Sequence, residues 1–440
     1  MSIELITVLI FGTMVFFLFM GLPVAFACGV TGIIFTAIFQ GASAVNVVPT
    51  RIFGLMTNYL LDAIPLFILM ANILERSGII EDIYHMVYHW LGWLKGGVAT
   101  ATIAACTMMA AMAGVVGATE VTMGLIALPQ MLNRKYDKLM SLGSILAGGT
   151  LGILIPPSVM LIVYGMVDNC SIGQLYAGAF LPGFLLSGLY IAYITIRCTI
   201  KPEMGPPIPK EERKDFIGLL KVLGPIIPAG ILIFLVLGTI VIGVASPTEA
   251  AGVGCLGAWL IAVSKRRMDF KSLLVAGENT IKACAMVLWT LFGANIFIAL
   301  YIMVGGQAFV QTMLLSSGLG PMAIIWVMML ILLFLGCFID WVGILMLCVP
   351  LFGPIIRKLG FDPIWFGVLF AVNMQLAFLT PPFGFSLFYL KSVAPPEVST
   401  IDVWKSAFPF LALQFIGLVL CMYFPDIILI GPKYFFRSQQ

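Results

Sequence analysis

Two pairs of adjacent prolines, each in the middle of a long apolar run, constrain this chain more than any other feature. The runs are LGILIPPSVMLIVYG, residues 151–165, and AFLTPPFGFSLFYLK, residues 377–391. A proline inside a helix removes a backbone hydrogen bond and clashes with the preceding turn, so a helix must break at each pair. Such breaks are tolerated at bilayer depth only where protein or a watery cavity satisfies the freed backbone groups. Matching breaks in two halves indicate a transport site near the membrane midplane.

The two runs belong to a longer internal repeat. Four residues recur 225 positions later: Leu154, Pro156, Pro157 and Tyr164 correspond to Leu379, Pro381, Pro382 and Tyr389. Upstream, at spacings of 221 to 225, Pro129, Arg134 and Asp137 correspond to Pro350, Arg357 and Asp362. Apolar sequence is repetitive, but the preserved order and spacing favour a repeat over coincidence.

The composition predicts an integral membrane protein. Of the 440 residues, 61% are hydrophobic and 10% are charged, and the mean hydropathy is +1.10, whereas soluble domains carry about 25% charged residues. The apolar runs are continuous rather than alternating, so they predict helices and not barrel strands. The net charge of +3 gives no indication of nucleic-acid binding. Nine cysteines without a CxxC pair predict buried free thiols. We therefore predict an all-α polytopic membrane protein.

Two repeats are predicted, each with an arm along the membrane interface, a re-entrant hairpin and a broken helix. The hairpins are predicted because two apolar arms, too short for the ~20 residues of a full crossing, flank each polar or small-residue tip. We expect the last span before the second arm to begin near residue 282. The predicted units are scaffold helices (1–58), a first repeat (59–198) with arm 80–95, hairpin 97–133 and broken helix 139–167, a cytoplasmic linker (199–221), scaffold helices (222–280), a second repeat (281–424) with arm 305–317, hairpin 320–356 and broken helix 364–391, and a C-terminal tail (425–440).

The distribution of basic residues predicts the orientation. With the polar linker in the cytoplasm, eighteen of the 23 Lys and Arg residues face the cytoplasm and five face outward, in accord with the positive-inside tendency. Both termini are then periplasmic, and the two hairpins enter from opposite faces. The repeats are therefore predicted to be inverted.

Several stretches resemble one transporter family over nearly the whole chain. Besides the two Pro–Pro runs they include GLPVAFA (21–27), PLFILMANILERSGI (65–79), ASPTEAAGVG (245–254) and FLGCFIDWVGILMLCVP (334–350). On these stretches the chain resembles the large, DctM-like membrane subunit of tripartite ATP-independent periplasmic (TRAP) transporters.

The resemblance implies a mechanism and partners. It implies an elevator-type transporter, similar to those of the ion transporter superfamily, that takes up a small organic anion with sodium across the bacterial inner membrane. It also implies a small DctQ-like membrane subunit and a soluble DctP-like periplasmic binding protein. Many relatives carry Asp at the first hairpin tip where this chain has Thr119, so the resemblance does not specify which anion is carried.

Polar residues and free carbonyls at the hairpin tips and breaks are the candidate ligands. Asp340 lies in an apolar tip, where an ionisable residue is either functional or a cap for the following helix. Freed carbonyls and tip oxygens suit Na⁺, a hard cation. The predicted sodium ligands are Gly117, Thr150, Gly152, Pro156, Gly336, Asp340, Thr380 and Gly384. The predicted substrate contacts are Thr119, Glu120, Thr122, Ser158, Asn373 and Phe383.

Other polar residues have two interpretations each. Glu249, two residues after a proline, is favoured as part of a helix cap over a transport role. Asn373 and Gln375 either line the site or hydrogen-bond to neighbouring helices. His85 and His89 have a spacing that can bind zinc, but with no fourth ligand in sight a polar interfacial stripe is favoured.

Several functions stay open at this point. No nucleotide-binding loop or nucleophile elbow occurs in the sequence, so neither an enzyme nor ATP-driven transport by this chain is predicted, and no cofactor other than coupling sodium. The alternatives to a partner-dependent symporter are a stand-alone sodium–anion symporter, an ion channel and an intramembrane enzyme with a base or metal at depth.

Overall fold

Every regular element in the computed structural model, which describes residues 1–114, 116–381 and 384–436, is a helix. Within these ranges, five helices are long and apolar enough to cross a membrane, and a sixth span results if the bent pair 43–56 and 59–76 is counted as one. Seven shorter apolar helices have 10–17 residues. The prediction of an all-α protein is confirmed.

The same order of helices occurs twice along the chain. The first half consists of α1 (Ile3–Phe19), α2 (Val24–Gln40), α3 (Val47–Met56), α4 (Ala63–Arg76), α5 (Ile79–Leu91), α6 (Gly97–Ala113), α7 (Val116–Asn133), α8 (Lys138–Thr150), α9 (Val159–Asp168) and α10 (Ile172–Ile200). The rest consists of α11 (Phe216–Lys221), α12 (Ile227–Ile242), α13 (Pro247–Ser264), α14 (Phe270–Met303), α15 (Gly306–Leu315), α16 (Pro321–Gly336), α17 (Trp341–Lys358), α18 (Pro363–Leu379), α19 (Phe385–Val393), α20 (Thr400–Tyr423) and α21 (Asp426–Phe435). The series arm, hairpin pair, broken-helix pair and closing helix runs from α5 to α10 and again from α15 to α20.

Both Pro–Pro pairs interrupt helices, as predicted. After α8, one turn of 3₁₀ helix covers Leu151–Ile153, and α9 begins only beyond Pro157. Ser158 caps α9, since its hydroxyl oxygen accepts a hydrogen bond from the Leu161 N–H at 3.4 Å. The second interruption separates α18 from α19, and its Pro382 lies outside the described residues.

The hairpins pack on the broken helices of both halves. The first helix of each hairpin packs on the broken helix of its own half: α6 packs on α8, and α16 packs on α18. The second helix contacts both halves, because α7 packs on α8 and on α19, and α17 packs on α18 and on α9. At the centre, side-chain oxygens of Thr150 and Gln375 lie 3.5 Å apart, and these residues are separated by 225 positions, the repeat spacing. Contacts between equivalent positions are what a two-fold relation between the halves produces.

The remaining helices form a scaffold around α14, which packs on α2, α4 and α17. Glycines permit the close approach of α2 and α14. A Cβ on Gly293 would lie 1.9 Å from the Ala25 carbonyl oxygen, and one on Gly32 would lie 2.8 Å from the Ile296 side chain. Small residues at helix contacts are typical of membrane proteins. Since α4 also packs on α13, this helix of the predicted first repeat contacts the scaffold.

The predicted start of α14 was wrong. The span expected from residue 282 begins at Phe270, so the helix runs across the predicted unit boundary at 280–281. Asp269 caps it by accepting a hydrogen bond from the Ser272 N–H at 2.8 Å. The N-terminal part of α14 carries an exposed Glu278–Lys282 ion pair of 2.6 Å. A prediction based on apolar runs does not include such polar residues, so it places the start of the helix too late.

Two further boundaries differ from the prediction. Helix α10 continues to Ile200, into the segment assigned to the linker. The described part of the tail 425–440 contains α21, which packs on α10, where the Ile428 carbonyl oxygen would lie 3.1 Å from a Cβ on Gly178. The C-terminal segment is therefore part of the helical bundle.

The linker closes one end of the bundle. Glu212 of the linker accepts a hydrogen bond from the Tyr88 hydroxyl at 2.9 Å and forms an ion pair with Arg134 at the end of the first hairpin. The hydrogen bond from Tyr88 is the largest contribution that lowers the pKa of Glu212. Nearby in the chain, Lys138 pairs with Asp402 of α20 at 2.6 Å.

An ion pair between exposed Arg357 and buried Asp168 joins the two halves at the far end of the first broken helix. Arg357, in the last turn of α17, donates to the Asp168 carboxylate at 2.9 Å and to the Asp168 carbonyl oxygen at 2.7 Å. The Asp168 side chain is only 5% exposed. The ion pair therefore anchors the second hairpin to α9 of the first half.

We predict that Arg357→Leu lowers the free energy of unfolding by about 2–3 kcal/mol, because it leaves the Asp168 carboxylate buried and unpaired. The matched control, Lys433→Leu, breaks an exposed pair with Asp426 and should cost less than about 1 kcal/mol. Thermal unfolding of the purified variants in one detergent measures both changes. Equal losses in the two variants would contradict the anchoring role of Arg357.

Candidate functional site

A cavity of about 520 Å³ lies where both hairpin tips and both broken helices meet, within the usual volume of small-molecule sites. The first tip contributes Gly114 and Gly117, and the second contributes Asp340 and Trp341. The lining from the broken helices is Ile153, Phe378, Phe385 and Tyr389. The four elements that the sequence singled out thus surround one space.

The opposite wall of this central cavity belongs to the scaffold. Residues 23–26 at the start of α2 line it, together with Met286, Trp289 and Thr290 of α14. The cavity therefore lies at the boundary between the scaffold and the hairpin-bearing elements, where relative movement of the two would change its access.

Three helices begin at the central cavity. They are α7, α17 and α19, whose first residues Val116, Trp341 and Phe385 are in the lining. The first N–H groups of a helix have no partner within it, and the helix dipole places partial positive charge there. Such ends are ready-made anion sites. The arrangement favours a ligand with an anionic group.

Asp340 caps α17. Its carboxylate accepts a hydrogen bond from the Gly343 N–H at 3.3 Å, which confirms the capping interpretation. Of the described residues that line the cavity, Asp340 alone carries a charged side chain. Its role as a sodium ligand stays a prediction.

Glycines press each tip against the neighbouring break. Gly114 has a φ of +62°, and a Cβ there would lie 2.4 Å from the Pro157 carbonyl oxygen. A Cβ on Gly336 would lie 2.3 Å from that of Ala377 in α18. Side chains larger than hydrogen cannot enter these contacts without displacing the tip. Each hairpin tip therefore lies close to the broken helix of its own half.

The predicted sodium ligands are only partly assembled around the cavity. Gly117 and Asp340 line it, while Gly152 and Pro156 lie buried at the first break. The Thr150 hydroxyl donates to the Ala147 carbonyl at 2.9 Å and accepts from Gln414 at 3.1 Å. At the second break, the Thr380 hydroxyl donates to Leu376 at 2.7 Å, and the Thr380 carbonyl accepts from Gly384 at 3.1 Å.

Three of the predicted substrate contacts, Ser158, Thr122 and Asn373, have partners within the protein. The Ser158 hydroxyl donates to the Ile153 carbonyl at 2.5 Å, which has no helical donor because residue 157 is proline. The Thr122 hydroxyl donates to Glu75 at 3.1 Å, and the Asn373 amide donates to Met329 at 3.0 Å. Buried Thr119 and Glu120 are not part of the cavity lining. Phe383 lies outside the described residues.

Sequence reasoning did not identify the aromatic walls of the cavity. Trp289, Trp341, Phe378 and Phe385 are ordinary members of apolar runs, and hydropathy does not separate a cavity wall from a lipid-facing side chain. Tyr389 is the one of these lining residues that the sequence could have indicated, because it corresponds to Tyr164 in the internal repeat. Only the packing of the hairpins shows which aromatic residues converge.

Two peripheral hypotheses are also resolved. Glu249 forms a capping box with Ser246: its carboxylate accepts from the Ser246 N–H at 2.8 Å, and the Glu249 N–H donates to the Ser246 hydroxyl at 3.3 Å. The Nε2 atoms of His85 and His89 lie 3.1 Å apart, and burial is the main cause that lowers the pKa of His89 to about 4. The described residues contain no group of three metal-binding side chains, so the polar stripe is favoured.

Interrupted apolar helices around a shared cavity are typical of membrane transport proteins, and comparisons with known proteins specify the family. The model of the family described as tripartite ATP-independent periplasmic transporter, DctM component, matches residues 11–427. The chain is 32% identical to the C4-dicarboxylate TRAP transporter large permease protein DctM of Vibrio cholerae, covering 98% of this chain and 99% of the relative. The chain therefore belongs to the DctM family, whose members are transporter permeases and not enzymes.

Two further similarities add context. The chain is 29% identical to the isethionate TRAP transporter permease protein DctMQ of Oleidesulfovibrio alaskensis, over 95% of this chain and 65% of that relative. Its fold is similar to the crystal structure of the Alcanivorax borkumensis YdaH transporter, with a TM-score of 0.63, 15% identity and 89% of each chain covered. The second similarity concerns the fold alone.

We predict that Gly336→Ala destabilises the protein by about 1–3 kcal/mol through overpacking against Ala377 and abolishes most uptake, because the displaced tip no longer closes the cavity. The matched control is Gly320→Ala at the other end of α16, where a Cβ would meet nothing within 4 Å. Thermal unfolding and uptake by reconstituted vesicles measure the two effects. Normal uptake by Gly336→Ala would show that the tip contact is dispensable.

Proposed function

We propose that this chain is the subunit through which a small organic anion, of carboxylate or sulfonate type, is taken up together with sodium. The observation that carries the proposal is the cavity at which both tips, both breaks and three helix N-termini converge. Helix N-termini bind the anionic group without a basic side chain, and the aromatic walls contact the apolar part of the substrate.

The two halves act as inverted repeats in an elevator motion. The support is the reciprocal packing of α7 on α19 and of α17 on α9, together with the contact between Thr150 and Gln375 at the repeat spacing. Because the hairpins and broken helices interlock, they move as one body. The scaffold wall formed by α2 and α14 is the surface past which they slide.

One sodium ion binds at each pair of tip and break. The first site combines residues 114–122 with 150–158, and the second combines 336–343 with 380–384. Carbonyls freed at a Pro–Pro break cost several kcal/mol each when unsatisfied at bilayer depth. A bound cation satisfies them and draws the tip onto the break, so that closure over the anion requires both.

Two partners and a location complete the proposal. A DctP-like binding protein delivers the anion from the periplasm, and a small DctQ-like subunit binds the scaffold in the inner membrane. The name DctMQ and the greater length of the Oleidesulfovibrio relative, of which this chain covers 65%, support a partner of this kind. Both termini lie in the periplasm, as the basic residues favour.

Reconstituted vesicles test this function. We expect vesicles with the chain and its small subunit to take up labelled succinate or isethionate only when the binding protein and an inward sodium gradient are present. Uptake at the full rate without the binding protein would favour a stand-alone symporter. Sodium-independent uptake at constant membrane potential would exclude the sodium sites.

We predict that Asp340→Asn raises the sodium concentration for half-maximal uptake about fivefold or more, since the loss of one charge near the ion weakens attraction by ~1 kcal/mol. The amide retains the side-chain oxygen that caps α17, so thermal stability should stay normal. Sodium titrations of uptake compare the variant with its parent. An unchanged sodium dependence would leave Asp340 as a cap only.

A further inference from the structure

A second and larger cavity, of about 820 Å³, lies between α3, α9, α14 and α17. We refer to it as the vestibule, and its polar lining residues are Asn46, Thr50, Arg51, Asn58 and Asn295. The remaining lining is apolar, and it contains no Asp or Glu among the described residues. The vestibule is therefore rich in hydrogen-bond donors and positively charged.

Arg51 has no competing partner within the described chain. None of the six ion pairs found there involves it, and it is exposed to the vestibule. Its planar guanidinium presents five donors in a geometry that matches carboxylates and similar oxyanions. Asn58 adds a donor group, because its side-chain oxygen already accepts from the Leu60 N–H at 3.0 Å and its NH₂ group has no such bond.

The same two helices, α14 and α17, line both the vestibule and the central cavity, at successive positions along their length. On α14, residues 286–290 line the central cavity and 295–302 line the vestibule. On α17, residues 340–341 line the central cavity and 346–350 line the vestibule. The gap of five residues on each helix corresponds to about 7.5 Å. A small anion in the vestibule is therefore roughly one and a half helical turns from the central cavity.

We propose that the vestibule is a second anion site, in which Arg51 and the neighbouring amides bind the carboxylate or sulfonate group of a substrate before it enters the central cavity. Only the identification of this anion as the transported one rests on the proposed function. A charged cleft with low-dielectric walls concentrates ions of opposite sign. Because Arg51 is exposed, we expect the vestibule to bind anions with low affinity, which allows release of the ligand into the central cavity.

Thiol labelling tests the vestibule without any transport measurement. Asn295→Cys places a thiol in the vestibule, and Tyr434→Cys places a control thiol at a residue that is 78% exposed. Both are labelled in phosphatidylcholine bilayers with an anionic sulfonatoethyl and a cationic trimethylammonioethyl methanethiosulfonate, after subtraction of labelling in the parent. We expect the anionic-to-cationic rate ratio at residue 295 to exceed the control ratio about fivefold.

Arg51 variants and competition complete the test. Arg51→Gln should lower the ratio at residue 295 to the control value, Arg51→Lys should preserve most of it, and Lys433→Gln should leave it unchanged. Sodium isethionate should slow labelling at residue 295 more than sodium chloride of equal ionic strength. A ratio unaffected by Arg51→Gln, or no specific slowing by isethionate, would overturn the proposal. So would a high ratio that requires added anionic lipid, because the ligand would then be a lipid head group.

Neither sodium gradients nor the binding protein enters this assay. A failure of the proposed function would therefore leave the labelling result intact. Conversely, normal sodium-dependent uptake combined with equal labelling ratios would remove the vestibule site and keep the transport function.

Discussion

Backbone carbonyls that have lost their helical donors are the constraint on which the rest of the structure depends. Residue 157 is proline, so the Ile153 carbonyl has no helical partner, and the Ser158 hydroxyl donates to it at 2.5 Å. Pro354 likewise frees the Pro350 carbonyl, which accepts from Gln307 of the second arm at 3.1 Å. In a bilayer such groups must find partners inside the protein. In these two cases a cap residue and an arm residue supply the partner.

This constraint explains how much of the structure follows from the sequence. A pair of adjacent prolines interrupts a helix, so both breaks were predictable, whereas the single Pro129 and Pro182 lie inside continuous helices. The hairpins were predictable from their short apolar arms, and the repeated order of elements from the preserved spacing. The start of α14 was not, because its first turns carry polar residues such as Glu278 that resemble a loop in an apolar protein. The role of Ser158 was also not predictable. A hydroxyl beside a helix break can contact a bound ligand or cap the next helix, and only its hydrogen-bond partner distinguishes the two roles.

The packing of helices that are distant in the sequence decides which residues line the central cavity, and the sequence pattern does not identify those residues. Trp289 of the scaffold and Tyr389 of the second broken helix are far apart in the sequence, and only the fold brings both to one cavity. The contact of Thr150 with Gln375 does have a sequence signature, because it falls on the repeat spacing. A two-fold relation brings equivalent residues together only near its axis. The repeat therefore indicates the centre of the protein but not the residues around it.

The contacts of α7 and α17 with broken helices of the other half have a mechanical consequence. Because α7 packs on α19 and α17 packs on α9, a shift of either tip changes contacts with both broken helices. Gly114 and Gly336 allow no slack in these contacts, since an added methyl group would lie within 2.4 Å of the neighbouring break. Close packing transmits displacement between such elements rather than absorbing it. In the proposed mechanism, closure of one tip would therefore change the packing at the other tip.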